Sequence, residues 1–194
     1  MASFRAIPGI LAAIKKLLER KIVEDSYFST FEPEIVILGN KELHETPSKN
    51  QIGLYLHRVS VDPIGRNRYI NINTLQATAP ELPVNLHLLI IAWTDSGENE
   101  GLLIGWAMQH IGSALSLDVS HLSIWDPSWD DTEQVQIVPE EMSTENLLRI
   151  WEALPHDYLL SVPYLVKTLR MYPLSTAQEA PLVESVVSKM QGYP

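Results

Sequence analysis

The six histidines have the widest chemical repertoire in this sequence, because a neutral imidazole can bind a metal ion and can exchange protons near neutral pH. Two histidines that bind one zinc ion from the same helix usually lie three or four residues apart. No pair has that spacing among His44, His57, His87, His110, His121 and His156. We interpret His87, within an apolar segment, and His110, on the apolar side of a predicted helix, as hydrogen-bonded core or interface residues.

A group of acids could surround a hard cation such as calcium, which prefers carboxylate oxygens. Its members are Asp126, Asp130, Asp131 and Glu133. They lack the glycine turn and the regular spacing of a dedicated calcium loop, and a solvated acidic loop is the simpler interpretation. Signatures of common active sites, such as HExxH, GxSxG and the P-loop, do not occur in the sequence. The sequence therefore predicts no metal, no cofactor and no catalytic residue, and a protein that is not an enzyme.

A compact basic cluster is suited to contacts with another protein. Arg66, Asn67 and Arg68 directly follow a predicted turn at residues 62–65, with the sequence Asp-Pro-Ile-Gly. The planar guanidinium groups could each bind a carboxylate or backbone carbonyl of a partner in a bidentate manner. An exposed loop tip explains the cluster equally well, and the sequence leaves both interpretations open.

The tryptophans divide into two groups. Trp106 and Trp151 lie on the apolar stripes of predicted helices and are expected in the core. Trp93, Trp125 and Trp129 are more ambiguous, because tryptophan is enriched in the buried patches of interfaces. We take Trp125 and Trp129, which lie in the acidic segment, as candidate interface residues.

The composition is that of a soluble globular protein with one main domain: the chain has 194 residues, of which 45% are hydrophobic and 20% are charged. Because cysteine is absent, disulfides and thiolate sites are excluded. The net charge of −10 argues against a nucleic-acid partner, which would require clustered basic residues. No apolar run reaches the roughly 18 residues of a membrane span. We expect the protein to be cytoplasmic, or released as part of a particle, without insertion into a membrane.

The charges are distributed unevenly along the chain. Bases are concentrated near the start, whereas the stretch 118–157 carries ten acids and only Arg149 as a base. Two solvated faces are the simple interpretation. The alternative is that one basic and one acidic flank allow the molecule to pair head to tail with its own copy.

The pattern of apolar residues predicts the elements that carry these side chains. Steps of three and four predict one amphipathic helix over 7–22 and a second around 103–117, and a short third helix follows Ser143 as a partial N-cap. Strands are predicted at 34–38, 52–61, 84–94, 135–138 and 162–172, with a bulge near Arg58, where the apolar residues change parity. The segment 84–94 is apolar on both parities, which indicates a central strand. The predicted fold class is α+β, with a mixed, mainly antiparallel sheet on which the helices pack.

The end of the sequence is predicted to form a separate arm. Residues 1–172 make up the α+β domain, and residues 173–194 follow the last strand. Within the arm, apolar residues recur at helical spacing. They are Leu182, Val183, Val186 and Val187, followed by Met190, and we take the first four as candidate interface residues.

Four strings in this sequence resemble one family of proteins. VQIVPEEMSTENLLRIWEALPHDYLLSVPYLVKTLRMYP, over 135–173, is similar to the closing segment of the cap proteins of extracellular contractile injection systems, particles of the antifeeding-prophage and Photorhabdus-virulence-cassette type. GLYLHRVSVDPIGRNRY, LPVNLHLLIIAWT and GLLIGWAMQHI resemble further parts of that family in the same order, although Ile90 or Ile91 replaces an aromatic of the central strand.

This resemblance implies a phage tail-terminator-like fold and a structural cap. The cap would be a homohexameric ring at the end of the particle distant from the baseplate. It would contact the last rings of the inner-tube protein and the sheath protein, end their polymerisation and anchor the sheath during contraction.

Two alternatives remain at this point. One is a neck or tube-completion protein of an ordinary phage. The other is a small enzyme with a dispersed active site, which a deep cleft with His57 or His110 beside a carboxylate would favour.

Overall fold

A six-stranded sheet forms the frame of the structure, a computed structural model that describes residues 2–29, 31–46, 49–62, 81–114, 116–117, 119–129 and 134–172. The strands are β1 (Glu34–Leu38), β2 (Gln51–Val61), β3 (Leu82–Trp93), β4 (Ser116–Leu117), β5 (Val135–Pro139) and β6 (Ser161–Met171). The helices are α1 (Ala6–Glu24), α2 (Gly97–Ala114), α3 (Val119–Leu122) and α4 (Thr144–Glu152), with 3₁₀ turns at Ser26–Ser29 and Glu42–His44.

The strands lie in the order β1-β2-β3-β6-β5-β4. β1 and β2 pair in parallel, and every other described pair is antiparallel. The predicted α+β class with a mixed, mainly antiparallel sheet is therefore confirmed. None of the helices described is long and apolar enough to cross a bilayer.

β3 is a central strand that is covered on both faces, as its sequence predicts. Its side chains at even positions, such as Leu86 and Leu88, enter the main core with the apolar stripes of α1 and α2. Those at odd positions, Leu89 and Ile91, pack with Trp151 of α4 in a second cluster on the opposite face. The domain thus has three layers, with α1 and α2 on the first face of the sheet and α4 on the second face.

Two irregularities of the sequence are explained by the pairing of the strands. The register of β2 and β3 shifts between Leu56 and Arg58, so the predicted bulge is confirmed. Pro163 lies near the start of β6, at the end of the ladder with β5, where its carbonyl accepts a hydrogen bond from the Glu140 N–H at 2.9 Å. The missing N–H of this proline therefore falls where the pairing with β5 ends.

The acidic, Trp-containing sequence of the segment 118–134 predicts a loop, and the described part of the segment differs from that prediction. It contains the short helix α3, and just before it Leu117, predicted on the stripe of the second helix, belongs instead to β4. Leu117 and Leu122 are both fully buried, and the burial of these two apolar side chains in the core stabilises the local structure of this segment. The predicted cap of α4 is present: Ser143 Oγ accepts a hydrogen bond from the Asn146 N–H at 3.2 Å.

Candidate interaction surfaces

The basic flank predicted at the start of the chain is the outer side of α1. Its bases alternate with acids at helical spacing, and Lys15–Glu19 and Arg20–Glu24 form ion pairs at 3.6 and 3.8 Å. Because exposed pairs of this kind contribute at most about 1 kcal/mol, they shape the surface potential more than the stability. The acidic flank includes the outer side of α4, where Glu145 and Glu152 are exposed on the second face of the sheet. The two flanks therefore lie on opposite sides of the domain.

An apolar groove runs along α1 on the basic flank. It encloses about 410 Å³ between α1 and the segment that contains α3, and we call it the α1 groove. Its rim carries large apolar side chains in contact with solvent: Val23 is 87% exposed and Ile124 is 57% exposed. The lining residues are Ala13, Lys16, Leu17, Glu19, Arg20, Val23, Ser120, His121 and Ile124. Exposed apolar surface of this kind is typical of a contact site for another polypeptide.

The two candidate tryptophans have different environments. Trp125 is 50% exposed and follows Ile124 on the rim of the α1 groove, where its Cβ lies close to Gly9 of α1. A side chain at Gly9 would place its Cβ 3.0 Å from that atom, so glycine allows the close approach of the two segments. Trp129 is 7% exposed and belongs to the main core, so it stabilises the domain and leaves little surface for a partner.

Asp126 holds the N-terminal segment against this region. Its carboxylate accepts hydrogen bonds from the N–H and hydroxyl of Ser3 at 2.9 and 2.7 Å, and from the same groups of Ser128 at 3.0 and 2.6 Å. Burial by itself would raise the pKa of Asp126, but the bonds from Ser128 and Ser3 outweigh it and lower the pKa from 3.8 to about 2. The described residues contain no cluster of three potential metal ligands.

The lowered pKa of Asp126 predicts a loss of stability in acid. Because the folded-state pKa lies below the unfolded value, the stabilisation is complete above about pH 4 and is lost as the pH falls towards 2. The shift corresponds to roughly 2.5 kcal/mol. Urea unfolding between pH 5 and 2.5 should show this decline in the unmodified chain and a flatter profile in Asp126→Asn. Asp95→Asn, which alters an exposed acid, is the control; an identical profile in both variants would contradict the assignment.

The outer edge of β1 offers backbone groups to a further strand. The Glu34 N–H bonds to the Asn50 carbonyl, which directs the backbone of Glu34 and Val36 towards β2. Since backbone groups alternate in direction along a strand, the N–H and C=O groups of Ile35 and Ile37 point away from the sheet. Among the described strands, β1 and β4 are the two at the edges, and β4 has only two residues. β1 is thus the longer edge available for pairing.

A polar cluster on the second face brings together one residue of β2, one of β3 and the residue that follows β5. The Nδ1 of His87 lies 2.8 Å from Oε1 of Glu140, and its Nε2 lies 2.7 Å from the hydroxyl of Ser60. Because a carboxylate only accepts, Nδ1 carries a proton and donates it to Glu140. Arg58 Nη2 approaches the same carboxylate at 3.5 Å, as a neighbouring positive charge. Sequence analysis did not find this cluster, since its members are 27 and 53 residues apart.

The distances between Ser60, His87 and Glu140 are those of a Ser-His-acid triad, but the surroundings of the cluster differ from those of a hydrolase active site. Ser60 lies within a long strand that pairs with β3, whereas a hydrolase nucleophile lies at a sharp turn whose N–H groups face the substrate. His87 is only 5% exposed. The nearby open depression, of about 460 Å³, is lined by His57, Glu140 and Ser143 among others, and its described lining does not include Ser60.

His57 does not form a catalytic pair in this depression. Burial, the largest effect, lowers the pKa of His57, and its neighbours His87 and Arg58 lower it further against the opposing effect of Glu140. The imidazole is therefore neutral at pH 7. The hydroxyl that lines the depression with it, Ser143, is occupied as the cap of α4. The other histidine of interest, His110, packs against the ring of Trp106 with centroids 4.5 Å apart.

The remaining candidate interface residues lie outside the described part of the chain. These are Arg66, Asn67, Arg68, Leu182, Val183, Val186 and Val187. The turn at 62–65 also falls outside it from residue 63 onwards. Their roles stay predictions.

The sequence from residue 9 to residue 185 matches the family described as the Pvc16 N-terminal domain. The chain belongs to this family. The match includes all of β1 to β6 and most of α1, so the family relationship applies to the whole domain described above. No curated protein has a sequence that matches the chain.

Solved structures are similar to this Pvc16 N-terminal domain family member. One is the sheath/tube terminator of PVC, an extracellular contractile injection system, in its extended state: the TM-score is 0.56 at 14% identity, over 97% of this chain and 64% of that chain. Another is the anti-feeding prophage cap, described as a tube terminating cap, with a TM-score of 0.49 at 14% identity, over 80% of this chain and 55% of that chain. This chain therefore spans about 64% of the length of the PVC terminator that it matches. The predicted resemblance is confirmed in family and in fold.

Proposed function

We propose that this chain is a structural cap of a contractile injection particle. The observation that carries the proposal is the family match over residues 9–185, which the shared fold of the PVC sheath/tube terminator supports. The cap ends the growth of the inner tube and the sheath and anchors the sheath at the end distant from the baseplate. It is assembled in the cytoplasm and remains a part of the particle.

The distribution of charge supports a ring of identical subunits. A closed ring needs contacts between two different surfaces of one subunit. The basic outer side of α1 and the acidic outer side of α4 are such surfaces, because they lie on opposite faces of the sheet. We propose a homohexamer in which these flanks face each other in neighbouring subunits.

The exposed edge of β1 is a candidate binding site for a strand of the sheath protein. A strand of the sheath protein that pairs with Ile35 and Ile37 would extend the sheet by backbone hydrogen bonds, which depend little on the side chains of the partner. The outward backbone groups of these two residues are placed for that pairing, as described above.

Removal of the chain from a particle tests the proposal. Electron microscopy of particles made without it should show tubes of uncontrolled length or sheaths that have detached from the tube. Particles of normal length with intact sheaths would contradict the proposed cap.

A substitution in β1 separates the sheath contact from the rest of the function. Ile37→Pro removes an N–H that faces away from β2 and should increase the fraction of detached sheaths at least tenfold. Ile37→Val is the matched control, since valine has as many side-chain carbons as proline and keeps the N–H. Equal sheath retention in both variants, with both folded by circular dichroism, would exclude pairing at this edge.

The neck or tube-completion protein of a phage is the alternative within the same class. Neighbouring genes distinguish the two, because a phage has capsid genes beside its tail genes. An enzymatic function has less support, since the Ser60, His87 and Glu140 cluster lacks the surroundings of an active site.

A further inference from the structure

We propose that the α1 groove is the receptor for the C-terminal arm of a neighbouring copy of this chain, namely for residues 182–190. The inference rests on the proposed ring and specifies how its subunits are joined. The occupant is a segment of this same sequence, so that every subunit would both give an arm and receive one.

The position from which the arm starts supports this assignment. The Ala2 N–H bonds to the Arg170 carbonyl and the Tyr172 N–H bonds to the Ala2 carbonyl, each at 2.9 Å. These bonds fix the end of β6 beside the start of α1, on the side of the domain that carries the groove. Residues 173–181 then span up to about 30 Å when extended, which exceeds the roughly 18 Å along α1 from its start to the middle of the groove. The linker can therefore reach a groove, in its own subunit or in a neighbour, that lies within about 30 Å of the end of β6.

The apolar pattern of the arm matches the groove in kind and in length. The spacing of Leu182, Val183, Val186, Val187 and Met190 predicts one apolar side if the arm is helical, and Pro181 would then precede them at a favourable first position. This side would be about 12 Å long, and the part of α1 that lines the groove, from Ala13 to Val23, is about 15 Å long. A short valine-rich helix is marginal by itself in water, so it requires an apolar surface such as this groove.

Both partners carry charges of both signs. The arm has Glu179 before its apolar side and Glu184 and Lys189 within it. Lys16, Glu19 and Arg20 line the α1 groove, so Glu184 can face a base and Lys189 an acid. Opposite charges at the rim of an interface favour the encounter and help to fix its orientation.

Exchange between copies, as opposed to docking within one chain, follows from the ring. A ring closes when each subunit uses one surface to bind a different surface of the next. Exchange of an arm in one direction meets this requirement, and exchange of identical elements is a route to assembly of low energetic cost. The ring thereby gains contact area beyond the facing flanks of α1 and α4.

Because the chain contains no cysteine, a disulfide between introduced cysteines can test the contact without background. Two single variants, Val23→Cys and a tagged Val187→Cys, are produced together with the other particle proteins and oxidised in the purified particles. We expect a cross-linked dimer of the two variants on a non-reducing gel. Asp95→Cys, at an exposed position in the turn after β3, replaces Val23→Cys in the control and should give at least tenfold less dimer.

A second change makes the result independent of cysteine reactivity. Ile124→Glu, at a 57% exposed position on the rim, should reduce the cross-linked fraction at least fivefold without unfolding the domain. No dimer above the control level would overturn the exchange between copies. A third variant that carries both cysteines would also overturn it if its disulfide formed only within one chain. Absence of the chain from purified particles would overturn the proposed cap and the exchange with it, whereas its presence without the cross-link would overturn the exchange alone.

Discussion

Replacement of Trp151 by alanine is expected to lower the free energy of unfolding by about 3–5 kcal/mol, as for other large aromatic side chains removed from a core. Trp151 is 4% exposed and packs in the second cluster with Leu89 and Ile91 of the central strand. Its indole N–H donates to the Ser161 hydroxyl at 3.1 Å, which ties α4 to the start of β6. Loss of the ring therefore leaves a cavity and frees α4 from the sheet.

Two further variants separate the contributions of Trp151. Trp151→Phe keeps most of the packing but loses the N–H, and a cost of about 1–2 kcal/mol is expected. Leu148→Ala lies on the exposed side of the same helix and should change the stability by less than about 0.5 kcal/mol. Urea unfolding followed by tryptophan fluorescence and by circular dichroism measures all three. Equal losses for Trp151→Ala and Leu148→Ala would show that the second cluster does not stabilise the domain.

Replacement of Glu140 by leucine should cost up to about 3 kcal/mol, because it leaves the buried His87 Nδ1–H without its acceptor. His87→Leu should cost a similar amount, since the half-buried Glu140 carboxylate then loses its donor. The double variant should be less destabilised than the sum of the two, because neither partner remains unpaired. Additive losses would mean that the contact between the two side chains contributes nothing.

The same cluster offers a direct check of the structural interpretation of Ser60. A fluorophosphonate probe, which labels activated serines, should not react with the folded protein. Covalent labelling at Ser60 that disappears in His87→Leu would favour a hydrolase over a purely structural cluster. Glu145→Leu, which changes an exposed acid of α4, should alter the free energy of unfolding by less than about 0.5 kcal/mol and leave the labelling unchanged.

Most of the fold could be predicted from local patterns in the sequence. The apolar run of β3 placed that strand in the centre, and the change of apolar parity near Arg58 located the bulge. Both signals depend on the alternation of side chains along a strand, which a single sequence displays directly. The parallel pairing of β1 with β2 has no such local signature, because it depends on the path of the chain between them.

The interaction surfaces were predicted less completely, for a physical reason. Exposure of Val23 and Ile124 depends on how α3 packs beside α1, and neither the burial of Leu122 nor the helix itself was predicted. The basic flank was recognised because its charges are contiguous in sequence. Trp129 illustrates the reverse case: its residue type favours interfaces, but the fold places it in the core. Residue type therefore indicated that the protein has interaction surfaces, whereas tertiary packing determines which of the candidate residues are exposed to a partner.

The parallel pairing of β1 and β2 has a mechanical consequence for a contracting particle. A pull along the axis of β1 would stretch the bonds between the five paired residues of the two strands at the same time. A pull across the sheet would instead peel them apart one after another, at a much lower force. An edge strand held in this way resists sudden axial tension. Single-molecule pulling along β1, compared with pulling across the sheet, would show the difference in rupture force.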